Sequence, residues 1–164
     1  MIGRQSTMST SRKELAVVDS NVWVEVLSGN QRAVELLDRV SRECKLCITP
    51  TIYSEVSFVI LGHHFTSKTG KKGTYALKKE LKRDPSLYEI VDTFDSLLDE
   101  LHIAGLLEFL EETEEVVRKS RDLRKKYGLL PNDALILATC EVYGISKLVT
   151  FDDDFLRTNL EVLR

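Results

Sequence analysis

Two short apolar runs, each cut off by an aspartate, constrain this chain most. Leu15-Ala16-Val17-Val18 stops at Asp19, and Lys147 to Phe151 stops at Asp152. Nearly continuous apolar runs of this length suit strands buried on both faces of a parallel sheet. Leu46-Cys47-Ile48 reads as another such strand, Leu87 to Val91 as a third, and Leu160 to Leu163 as a last short one. Helical patterns separate them. Val22 to Leu27 is followed by Gln31 to Glu43, where Ala33, Leu36, Leu37 and Val40 share one face. Thr49-Pro50 opens a helix predicted to run to about Leu61, because Thr is a good N-cap and Pro suits the first helical position. Ser67 to Gly73 reads as a loop and Tyr75 to Arg83 as a short helix. Further helices are expected over Phe94 to Leu110, over Glu112 to Tyr127 with Gly128 as its stop, and over Pro131 to Tyr143 ahead of Gly144. Strands alternating with helices imply an α/β domain with a mainly parallel sheet.

A chain of 164 residues suits one domain, and its 43% hydrophobic and 30% charged residues are an ordinary globular balance. Residues 1–13 lack an apolar core and read as a flexible tail, leaving a single domain over 14–164. No apolar run approaches the ~20 residues of a membrane helix. Three cysteines without a secretion signal point to a reducing cytoplasm.

Carboxylates carry the functional signal. In parallel α/β sheets ligands bind beyond the carboxyl ends of the strands, where Asp19 and Asp152 fall. Each also suits a helix cap. Glu55 lies three residues from Ile52 and four from Val59, on the apolar face of its helix. A carboxylate there is costly unless it reaches water, is paired or binds a metal. Asp133 shares a face with Ile136, Leu137 and Cys140, or serves as a first-turn acid favoured by the helix dipole. Four acids gathered at one end of a sheet repel one another, and a hard divalent cation such as Mg²⁺ or Mn²⁺ relieves that conflict. Such a site suits phosphodiester hydrolysis.

The ordered motifs Val-Val-Asp19-Ser20-Asn21, Thr49-Pro50-Thr51-Ile52-Tyr53-Ser54-Glu55, Pro131-Asn132-Asp133-Ala134-Leu135-Ile136 and Leu148-Val149-Thr150-Phe151-Asp152-Asp153-Asp154-Phe155 resemble those of the PIN-domain nucleases. The resemblance spans roughly residues 15 to 164. It implies a three-layer α/β/α sandwich and a Mg²⁺- or Mn²⁺-dependent endoribonuclease acting on single-stranded RNA. It also implies Asp19, Glu55, Asp133 and Asp152 as the catalytic and metal-holding quartet, with Asp154 as an accessory catalytic acid. Ser20 and Thr150 match positions where a small hydroxyl orients a carboxylate. Small prokaryotic members of the family are commonly toxins of type II toxin–antitoxin pairs, which implies an antitoxin partner and a homodimer. The competing reading is a noncatalytic module of the same fold that binds RNA or protein.

Charge is segregated. Lys68, Lys71, Lys72, Lys78, Lys79, Lys82 and Arg83 face only Glu80 within their stretch and are candidates to hold an RNA backbone. Arg118 to Lys126 forms a second basic block, and Asp92 to Glu115 holds nine acids and no Lys or Arg. That acidic segment is predicted to lie away from RNA, serving as core or as a partner-facing surface. Cys44 and Cys47 have zinc-like spacing, but in a strand they face opposite sides, so they read as structural. His63-His64 reads as a polar helix end and Trp23 as core. Asp19-Ser20-Asn21 lacks the Asp-x-Asp of haloacid-dehalogenase phosphatases, and no glycine-rich nucleotide motif is present.

Overall fold

The computed structural model describes residues 12–164. The tail expected over 1–13 therefore lies outside the described residues, apart from Arg12 and Lys13. Among the described residues five strands form one sheet: β1 (Glu14–Val18), β2 (Cys44–Ile48), β3 (Leu107–Phe109), β4 (Lys147–Val149) and β5 (Glu161–Leu163). Their order is β3-β2-β1-β4-β5, and every neighbouring pair is parallel. Seven α-helices connect them: α1 (Ser20–Leu27), α2 (Gln31–Glu43), α3 (Pro50–Thr69), α4 (Thr74–Leu81), α5 (Glu89–Ile103), α6 (Glu114–Tyr127) and α7 (Pro131–Tyr143). From β1 to β3 the chain steps outward one way, and then returns to the far side of β1. Right-handed crossovers put the helices of the two legs on opposite faces, which makes three layers.

The strands are apolar because the central ones meet helices on both faces. Val17, Val18, Leu46, Cys47, Ile48, Leu148 and Val149 are wholly buried. Trp23 is buried as expected, and its indole N–H donates to the Val18 carbonyl at 3.1 Å. Cys44, Cys47 and Cys140 are buried free thiols, and burial pushes Cys47 and Cys140 up to about 12. Among the described residues no helix is long and apolar enough to cross a membrane.

Local expectations are corrected in three places. Helix α3 does not stop near Leu61 but runs on to Thr69, so His63 and His64 lie within it and only residues 70–73 form the loop. A mid-helix glycine costs about 1 kcal/mol, and burial of Ile60, Leu61 and Phe65 around Gly62 outweighs that. The true stop is Gly70, at φ +69. Leu87 to Val91 is not a strand but a short 3-10 turn (Pro85–Tyr88) leading into α5. The Asp84 carboxylate accepts from the Ser86 amide at 3.1 Å and starts that turn. Leu87, Val91, Phe94 and Leu98 then form a buried helical stripe, a pattern that a five-residue window cannot tell from a strand. Finally, the helix over Phe94 to Leu110 ends early. Gly105 adopts φ +73 after α5, and the chain enters β3, where Leu107 is buried beside Leu46.

Candidate active site

The sheet order changes direction between β1 and β4, and at such a switch point the two strand ends leave a crevice. Asp19 follows β1 and caps α1, while Thr150 and Asp152 follow β4. Asp19 is only 3% exposed. One carboxylate oxygen accepts from the Ser20 amide at 2.7 Å. The other accepts from the Thr150 hydroxyl at 2.7 Å and the Asn21 side-chain amide at 3.0 Å. The Thr150 oxygen in turn accepts from the Asn21 side chain at 3.1 Å and the Asp152 amide at 3.0 Å. Asn21 closes the ring by accepting from the Phe151 amide at 3.1 Å. Asp152 accepts from the Asp154 amide at 2.8 Å. Capping and clustering are therefore both true of Asp19 and Asp152.

Glu55 reaches the same place from the second turn of α3, and Asp133 from the first turn of α7. Burial raises the Glu55 carboxyl and the nearby Asp19 charge adds to it, while the Ser20 hydroxyl and Asn132 amide facing it oppose the shift. Burial first, and then Asp19, Asp152, Glu55 and Asp154, push Asp133 up to about 6. Burial also raises Asp19, against the hydrogen bonds from Thr150 and Ser20. All five acids singled out from the sequence thus lie close enough to act on one carboxyl. Among the described residues Asp19, Glu55, Asp133 and Asp152 form no ion pair, whereas Asp154 meets Arg157 at 3.5 Å. Also among the described residues, no three His, Cys, Asp or Glu side chains close into a finished metal shell. Like charges without a counterion keep apart. The donor set is oxygen only, which suits a hard divalent cation.

Three contributors had no role in the sequence reading. Asn21 ties β1 to the β4 end, and Asn132 lies against Glu55. Glu112 anchors the start of α3, where its carboxylate accepts from the Thr51 hydroxyl at 2.7 Å. Asn21 and Asn132 stand inside recognised motifs, so adjacency was their only signal; Glu112, 61 residues from Thr51, had none. A cleft of about 620 Å³ beside Glu55 is lined by Asn132, Glu112 and Phe58 among others. The basic stretch lies on the end of α3, the following loop and α4. Lys68, Lys72, Lys78, Lys79, Lys82 and Arg83 are exposed, and Lys71 pairs with Glu80 at 3.3 Å. In the second basic block Arg118 pairs with Glu114, and Lys119 with Glu141.

A family model described as PIN domain matches residues 16–160. The chain is 36% identical over 149 residues to Ribonuclease VapC6 of Methanocaldococcus jannaschii, covering 90% of this chain and 95% of that protein. It is likewise 36% identical over 148 residues to Ribonuclease VapC2 of the same organism, covering 88% and 90%. Among solved structures, VapBC2 from Rickettsia felis bound to a promoter DNA fragment matches with TM-score 0.57 at 18% identity, covering 90% of this chain and 96% of that one. A toxin–antitoxin complex from Klebsiella pneumoniae matches with TM-score 0.56 at 18% identity, covering 91% and 96%. These distant structures share the fold. With a matching family model and full-length relatives at this identity, the chain belongs to the PIN domain family.

Proposed function

We propose that this protein is a Mg²⁺- or Mn²⁺-dependent endoribonuclease that cleaves single-stranded RNA, and that it is the toxin of a toxin–antitoxin pair. The observation that carries the reading is the convergence of Asp19, Glu55, Asp152 and Asp154 on the half-buried Asp133 carboxyl, which among the described residues has no ion pair. The name ribonuclease on both relatives supports the activity, and the toxin–antitoxin complexes among the structural neighbours support an antitoxin partner. A homodimer of the cytoplasmic toxin completes the proposal.

Asp19, Glu55, Asp133 and Asp152 hold the cation in this reading. When bound, it supplies Lewis-acid stabilisation of charge developing on the phosphate. The remaining work belongs to the chain. Thr150 and Ser20 hold the Asp19 carboxylate in place through hydrogen bonds. Asp133, the carboxyl on which the other four acids act, takes the proton from the attacking water. Asp154 lies at the outer edge, tethered to Arg157. Lys68, Lys71, Lys72, Lys78, Lys79, Lys82 and Arg83 attract the RNA backbone.

The test is incubation of labelled single-stranded RNA with the purified protein and Mn²⁺, with EDTA and Asp133→Asn as controls. Cleavage abolished by both is the expected result. Intact RNA, together with no Mn²⁺ bound in calorimetry, overturns the nuclease reading in favour of a noncatalytic binding module.

A further inference from the structure

Phe58 is 55% exposed on α3 and takes no part in the core. It follows Glu55 by three residues, so both lie on one helix face about 4.5 Å apart along the axis. Phe58 lines the cleft that holds Glu55 and Asn132. It also lines a second cavity of about 630 Å³ between α3 and α4, together with His63, Thr66 and Lys72. Phe58 is therefore common to the cleft at Glu55 and to the neighbouring α3–α4 groove. The groove carries one cation that can meet a phosphate. The exposed Lys72 is on its wall. An aromatic face flanked by cations is how proteins hold single-stranded nucleic acid, with bases stacked and phosphates neutralised.

Resting on the nuclease reading above, we propose that Phe58 is a substrate-positioning residue. In this reading a base adjoining the scissile phosphate stacks on its ring, and the flanking strand continues along the α3–α4 groove. Stacking is tolerant of base identity, so Phe58 sets the register of the strand rather than its sequence.

The test uses fluorescein-labelled oligo(A) RNA of twelve nucleotides and a matching abasic strand. Binding is read by anisotropy at low salt in the full-length Asp133→Asn protein, which keeps the RNA intact. Adding Phe58→Ala is expected to weaken oligo(A) binding about fivefold or more, while Phe58→Tyr stays within about twofold of the parent. The abasic strand is expected to bind the parent and Phe58→Ala equally. Equal oligo(A) affinity in parent and Phe58→Ala overturns the inference. An equal loss for both strands, or a loss that Phe58→Tyr fails to restore, overturns it too, because a fold or charge defect then explains the effect. So does a Phe58→Ala defect seen only in binding a protein partner. If the wild type with Mn²⁺ cleaves RNA while Phe58→Ala leaves both KM and binding unchanged, only the Phe58 assignment falls. If wild type neither cleaves nor binds RNA, the nuclease reading falls with it.

Discussion

Asp133 is where burial and repulsion add most visibly. Its folded pKa of about 6 lies above its ordinary value of 3.8, so the folded state holds more protons across that window. Stability from this group is full below about pH 4 and is lost as pH rises to about 6. Asp133→Asn should therefore abolish cleavage yet raise metal-free stability at pH 7 by about 1 kcal/mol, a figure discounted for solvent screening. Urea melts at pH 4 and pH 7 check this, since the gain should vanish at the lower pH. Mn²⁺ should raise the melting temperature of wild type more than that of Asp133→Asn. Thr150 is the counterpart that holds the cluster together. Its hydroxyl donates to Asp19 and accepts from Asn21 and the Asp152 amide. Thr150→Val leaves those groups short of a buried partner and should destabilise the fold by about 1–3 kcal/mol. Cleavage rate at saturating Mn²⁺ should also fall, because Asp19 loses its orienting donor.

At the scale of elements, α3 joins the acid cluster to the basic surface, since Glu55 is in its second turn and Lys68 in its last. Its length depends on Gly62, a residue that ordinarily ends helices. A Cβ added at Gly62 meets nothing within 4 Å, and its backbone is helical. Gly62→Ala should accordingly stabilise the protein by about 0.5–1 kcal/mol. Gly70 is the opposite case. It caps α3 at φ +69, so Gly70→Ala should destabilise by about 1 kcal/mol despite open space. Thermal melts of the two variants should move in opposite directions. A local periodicity reading places the stop at the wrong glycine because both residues look alike until the partners of Ile60, Leu61 and Phe65 are known.

For the whole molecule, the formal net charge of −3 conceals a segregated surface. Acidic α5 leaves Asp92, Asp99 and Glu100 exposed, while basic residues collect from the end of α3 through α4 and again on α6. RNA affinity in the Asp133→Asn background should fall steeply with salt. Each single-strand phosphate contact contributes about 0.7 to the slope of log K against log salt. Replacing Lys68, Lys71 and Lys72 together by Gln should flatten that slope by up to about 2. Lys71 is expected to contribute least, because Glu80 already partners it. Titrations between about 50 and 200 mM salt decide the matter.

The sequence by itself determined the α/β class, four of the five strands and the identity of four of the clustered acids, with Asp154 added only by the resemblance to the PIN-domain nucleases. Those features follow from local periodicity and from carboxylates set at strand ends or on apolar helix faces. The remaining strand, β3, is three residues long and is defined by pairing with β2, a partner that lies about sixty residues earlier. Only the tertiary structure decided the strand order, and with it the switch point between β1 and β4. That order brings Thr150 and Asn21, 129 residues apart, to 3.1 Å and makes one site from acids on four separate segments. A long-range contact of this kind depends on which strands pair, and no window along the chain contains that information.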